Sequence, residues 1–219
     1  MLTLYYAPGA CSMAPHIALE EAGADYTTVR IDEAGGEHLT DAYRKINPRA
    51  KVPALKLDDG TVITENVAIQ TYIGRMYPRA QLLPADPVEE ARALSLMSFF
   101  ATTVHPVFGR YYRPERSSDD PGAHGSIKAK ARQLFFDHLR EIDALLAGRD
   151  WFLEQFSTVD AYAFVFYGWG QRAGLPVREL GAYSAHKQRM LERPAVQRVL
   201  AREGVSMSWL RPACCRMIE

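Results

Sequence analysis

The sequence is poor in cysteine, with only Cys11, Cys214 and Cys215 among 219 residues. An odd count at this spacing builds no disulfide framework. Without a CxxC pair or a His/Cys cluster there is no ligand set for zinc, so no metal is expected. Net charge is also missing: Lys plus Arg and Asp plus Glu both number 26. No overall basic field draws the chain to nucleic acid or an acidic lipid surface. No run of roughly 18 apolar residues is present, which argues against a membrane-spanning helix. The start, Met1 to Tyr6, lacks the positive segment and long apolar stretch of a signal peptide. These absences point to a cytoplasmic protein with no nucleic-acid or membrane partner. What remains is an ordinary globular composition, 47% apolar, at a length that fits one large domain or two small ones.

The first 80 residues alternate strand and helix patterns. Leu2 to Tyr6 is β-rich, and Ser12 to Ala22 reads as a helix with Pro15 in its first turn. Tyr26 to Ile31 is a second strand, and Leu39 to Ile46 a short helix stopped by Asn47-Pro48. Val52 to Leu57 and Val62 to Thr64 flank the hairpin signal Asp58-Asp59-Gly60. Val67 to Met76 closes the unit as a helix. The order β-α-β-α-β-β-α predicts a mixed sheet covered by helices. Gln81 to Val88, with Pro84 and Pro87, reads as a connector. From there the patterns are helical: Pro87 to about Arg110, Ile127 to Leu146, a segment after Phe156 that is apolar nearly all round, Leu180 to Leu191, and Ala195 to Glu203. A helix apolar on every side belongs in the centre of a bundle. A polar loop, Arg113 to Gly125, separates the first two.

Several positions invite both a chemical and a plain reading. Cys11 stands where a strand gives way to a helix, and such a site favours a reactive thiolate; the alternative is a small buried thiol. Val52-Pro53 starts a strand, where a trans proline is the common form and a cis bond would turn the Val52 backbone toward a ligand. Thr64-Glu65-Asn66 could hold a carboxylate and an amine at a helix start, but Thr64 or Asn66 as an ordinary cap is the stronger local reading. His105, beside Pro106, reads as a packed residue in an apolar helix that the proline kinks. Ser157-Thr158-Val159-Asp160 fits a capping box with Asp for Glu, worth about 0.5–2 kcal/mol.

The order of these motifs is more specific than any one of them. Tyr5-Tyr6-Ala7-Pro8-Gly9-Ala10-Cys11-Ser12, Asn47-Pro48, Val52-Pro53-Ala54-Leu55 and Thr64-Glu65-Asn66 with Ala68-Ile69 together resemble the glutathione S-transferases. The Pro-Gly-Ala-Cys-Ser run before Pro15-His16-Ile17-Ala18-Leu19 is similar to the bacterial beta class. The resemblance spans about residues 1 to 204. It implies an α/β thioredoxin-like N-terminal domain over 1–80, a linker over 81–88, an all-α helical C-terminal domain over 89–205, a tail over 206–219, and a homodimer. It implies glutathione as co-substrate, held by Lys51, Val52, cis Pro53, Glu65 and Asn66. Cys11 and His105 would lie at the sulfur, with Tyr6 and Ser12 as further catalytic candidates. Tyr111, Tyr112 and Trp169 would wall a pocket for small hydrophobic electrophiles. The implied activity is conjugation of the glutathione thiolate with some disulfide reduction. A glutathione-dependent reductase, isomerase or dehalogenase is the alternative, and so is a non-catalytic binding module on the same fold. Three departures stand out: no lysine in the Asp32 to Glu37 loop, Asn66 where Ser or Gly is common, and Pro106 where lysine is common.

Overall fold

The computed structural model describes residues 1–205; Trp209, Cys214, Cys215 and the rest of the tail lie outside them. The chain opens with β1 (Leu2–Tyr6), α1 (Met13–Glu21), β2 (Tyr26–Arg30), α2 (Asp41–Arg44), β3 (Ala54–Lys56), β4 (Val62–Thr64) and α3 (Asn66–Met76). The strands form one mixed sheet in the order β2-β1-β3-β4. β1 runs parallel to β2, with Leu2 opposite Tyr26, and antiparallel to β3, with Leu4 opposite Leu55. β3 and β4 form the hairpin, Leu55 facing Ile63. It is shorter than the apolar pattern suggests, because Pro53 has no N–H to give the ladder. The helix expected from Leu39 is interrupted at Thr40, whose extended backbone and side chain cap the Tyr43 N–H. A Thr that can cap wins over continuation of the helix.

The remainder is helical: α4 (Pro87–Phe99), α5 (His105–Tyr112), α6 (His124–Leu145), α7 (Thr158–Arg172), α8 (Gly181–Glu192) and α9 (Pro194–Glu203). No helix among the described residues is long and apolar enough to cross a membrane. Between α4 and α5 the chain stays helical but widens over Phe100–Val104, and the His105 N–H bonds to Phe100 C=O, five residues back. Pro106 cannot donate to the Thr102 carbonyl, so the turn takes up one extra residue instead of breaking. That widening sets the direction of His105.

α7 is buried from Thr158 to Gly170, as its uninterrupted apolar character requires. α1, buried from Met13 to Leu19, lies between the sheet unit and the bundle, packing on α3, α7 and α9. One core runs through both parts, from Leu4, Ile17 and Leu55 to Phe100, Phe135 and Phe166. A smaller cluster, Ala7, Ile31, Tyr43 and Val52, supports the loops at the edge of the sheet.

The capping box is present in full. The Ser157 N–H donates to Asp160 Oδ2 at 2.8 Å, and the Val159 N–H to Ser157 Oγ at 3.2 Å. Asp160 does more than cap. Its Oδ1 accepts from the Phe152 N–H at 3.2 Å and faces His186 Nε2 at 3.0 Å, all of it buried.

Candidate active site

The loop between β1 and α1 carries Cys11, and its shape is fixed by its own side chain and by the helical part. Ser12 Oγ accepts from the Ala7 N–H and donates to the Ala7 carbonyl, both at 3.1 Å. The Ser12 hydroxyl is therefore committed to the loop. Gly9, at φ 66, is gripped from the bundle. Its N–H donates to Glu203 Oε2 at 2.9 Å, and its carbonyl accepts from Trp169 Nε1 at 2.9 Å. Glu203 Oε1 in turn meets His16 Nδ1 at 2.8 Å in full burial. Tyr6 packs on His16 with ring centroids 5.4 Å apart, and burial and then the Glu203 charge raise its pKa. Tyr6 thus belongs to this buried cluster, with its hydroxyl kept protonated.

Cys11 is 7% exposed, and its Sγ–H donates to the Val52 carbonyl at 3.4 Å. Burial pushes the thiol up to about 12, and the Glu33 charge adds to this. Of the two readings of Cys11 the burial favours the plain one, a protonated thiol, since desolvation outweighs the helix N-terminus; α1 begins two residues later, at Met13. In protein lacking Cys214 and Cys215, alkylation of Cys11 by iodoacetamide is expected to speed up by about tenfold per pH unit through the alkaline range. A rate plateau near neutral pH would contradict this.

Val52 follows a loop whose carbonyls are pinned. Lys51 C=O accepts from Tyr43 Oη at 2.9 Å and from Asn47 Nδ2 at 2.6 Å. The Val52–Pro53 bond is cis. Glu65 leads into α3 at φ 74, a backbone region that non-glycine residues adopt only when the surroundings impose it. Its carboxylate is exposed, with Arg49 Nε at 4.0 Å. Neither Thr64 nor Asn66 caps α3, contrary to the local reading. Thr64 Oγ1 accepts from Arg49 at 3.4 Å, while buried Asn66 donates through Nδ2 to the Cys11 carbonyl at 3.1 Å. The Asn66 Oδ1, the atom a cap would use, faces Gln70 Nε2 at 3.5 Å instead of a helix N–H.

His105 approaches from the bundle. Its Nδ1 lies 3.2 Å from Tyr162 Oη, and its ring packs edge-on to Trp169 at 4.9 Å. Burial lowers its pKa to about 4, helped by the Lys51 charge, so the imidazole is neutral at pH 7. Lys51 itself is exposed. Burial also raises the Tyr162 hydroxyl well above its usual value; Cys11 and Glu65 add to this, and a hydrogen bond from Asn66 opposes it. Cys11, Val52 and Asn66 are joined by hydrogen bonds, Glu65 directly precedes Asn66, and Cys11 and Glu65 both act on Tyr162, the partner of His105. Tyr111 is half-buried and Tyr112 exposed, both on α5. Trp169 is 4% exposed, stacked on Phe108 at 4.3 Å and bonded to Gly9, so it backs His105 and does not present an open wall. Sequence reasoning missed Tyr162, Gln70, His16 and Glu203. The one available signal was His16 itself, a polar side chain in the apolar run Met13 to Leu19 that must find a partner.

Residues 1–75 match the family described as glutathione S-transferase, N-terminal domain. Over 93% of its length the chain is 35% identical to glutathione S-transferase GstA of Escherichia coli O157:H7, all of which is covered. A glutathione transferase homologue from Sulfitobacter, solved with bound glutathione, superposes with a TM-score of 0.88 at 32% identity, covering 92% of this chain and 98% of its own. The bacterial beta class glutathione S-transferase of Sphingomonas chungbukensis gives 0.84 at 35% identity, covering 93% and 100%.

Proposed function

Since the chain belongs to the glutathione S-transferase family, we propose that glutathione lies across this cleft with its sulfur between Cys11 and His105. The protein is a glutathione transferase with the thioredoxin-like sheet and helical bundle of its bacterial beta-class relatives. The carrying observation is the hydrogen-bonded junction of Cys11, the Val52 carbonyl beside the cis Val52–Pro53 bond, and Asn66 at the start of α3. In this reading the Val52 backbone pairs with the cysteinyl unit of glutathione, and Glu65 binds the γ-glutamyl amine beside the Asn66 N–H. Lys51 serves the glycine end in place of the missing loop lysine, as an exposed cation at the rim. Residues 1–80 form the glutathione-binding domain and 89–205 the helical one, joined by 81–88, in a cytoplasmic homodimer.

The glutathione thiol, whose cysteine ordinarily titrates near 8.5, must lose its proton to attack. Hydrogen-bond donors and a cation around the sulfur favour the anion. Cys11 is held as a neutral thiol and is not a competing nucleophile; its one S–H, given to the Val52 carbonyl in the free protein, turns to the glutathione sulfur when the cysteinyl unit pairs with the Val52 backbone. The neutral His105 imidazole offers a second N–H. The proton leaves to solvent, and the sulfur lone pair forms the new bond to a small hydrophobic electrophile held near Tyr111 and Tyr112, whose leaving group departs with the pair of the bond that breaks, or whose activated double bond opens and takes up a proton from solvent. The raised Cys11 thiol weighs against disulfide exchange as the main reaction, since exchange needs its thiolate. Glu65→Ala removes an exposed carboxylate, so stability should stay within about 0.5 kcal/mol. Retention on glutathione-agarose should be lost. Retention at the wild-type level would refute the assignment, and a pure interaction module on this fold would already flow through as wild type.

A further inference from the structure

Three buried polar groups link the sheet unit to His105. Asn66 donates through Nδ2 to the Cys11 carbonyl at 3.1 Å, and its Oδ1 faces Gln70 Nε2 at 3.5 Å. Gln70 therefore orients the amide, oxygen toward α3 and N–H groups toward the cleft. An Asn amide carries two donor hydrogens. One goes to the Cys11 carbonyl. Tyr162 Oη is buried with its own proton to place, and His105 Nδ1 lies 3.2 Å away. A neutral imidazole has one donor and one acceptor nitrogen, and the bond at one decides the other. The groups facing this chain are Cys11, Glu65 and Lys51.

Building on the placement of glutathione above, we infer that Tyr162 is a positioning residue that holds His105 as the Nε2–H tautomer, so that its free N–H donates to the co-substrate sulfur. A buried hydroxyl gives its proton to the acceptor beside it, and that acceptor is His105 Nδ1.

The test is the imidazole nitrogen-15 spectrum of His105 in the ligand-free protein at neutral pH. The expected wild-type spectrum has Nε2 protonated and Nδ1 unprotonated, with Nδ1 displaced by an accepted hydrogen bond. Tyr162→Phe should abolish that displacement and admit the other tautomer. Turnover of Tyr162→Phe should fall by roughly tenfold at unchanged KM for glutathione. In a His105→Ala background the same change should cost nothing more. A wild-type spectrum with Nδ1 protonated overturns the inference, whatever the variants do. So does a Tyr162→Phe spectrum identical to wild type. If His105→Ala alone leaves turnover intact, the placement of the sulfur fails while the tautomer result stands by itself.

Discussion

Replacing Asp160 by alanine should destabilise the protein by about 3–5 kcal/mol, well beyond the value of a helix cap alone. The reason is the number of buried groups that depend on one carboxylate. It accepts from the Ser157 N–H, the Ser157 hydroxyl and the Phe152 N–H, and it faces His186. Alanine leaves two backbone donors and an imidazole without partners in a site where Asp160 and His186 have no exposure. Each orphaned group keeps its desolvation cost. Asp160→Asn keeps the shape and part of the acceptor capacity, so it should fall between the two. Urea unfolding at neutral pH measures both. A loss below about 1 kcal/mol for the alanine variant would show that the network contributes no more than an exposed cap.

Glu203→Ala should also cost about 3–5 kcal/mol, because it strands His16 inside the core. Its second effect is on the site. Glu203 holds the Gly9 N–H, and Gly9 lies two residues before Cys11. With Trp169 left as the one grip from α7, the loop should loosen and turnover should fall together with stability. Glu203→Gln still offers an acceptor to Gly9 and should lose less of both. Unfolding free energy and turnover, measured side by side, check this. Wild-type stability in Glu203→Ala would contradict the role given to the buried pair.

Local rules read the long elements well. The apolar faces of α6 and α9, the all-round apolar α7 and the Ser157–Asp160 box need no distant partner to declare themselves. The site was legible as a set of positions, through the motif order from Cys11 to Asn66, but less so as chemistry. Cys11 follows a strand and precedes a helix, yet burial and Glu33 decide its state, and neither can be read from its neighbours in sequence. Asn66 at a helix start suggests a cap, but it turns to a carbonyl 55 residues back. His16 and Glu203 are separated by 187 residues, and Tyr162 and His105 by 57. No periodicity encodes such pairs; packing of α1 against α9 creates the first, and the approach of α5 to α7 the second. Trp169 fails as a pocket wall for the same reason, since its N–H is taken by Gly9 from the other part of the molecule.

The most direct measurement is the thiolate absorbance of glutathione bound to protein lacking Cys214 and Cys215, followed against pH, with Cys11→Ala beside it. The expected result is a bound thiol titrating at least about one unit below the usual 8.5, with a signal that persists in Cys11→Ala. Bound glutathione that titrates at or above 8.5, or a thiolate signal that vanishes with Cys11, would contradict a site built to ionise the co-substrate's sulfur around a neutral protein thiol.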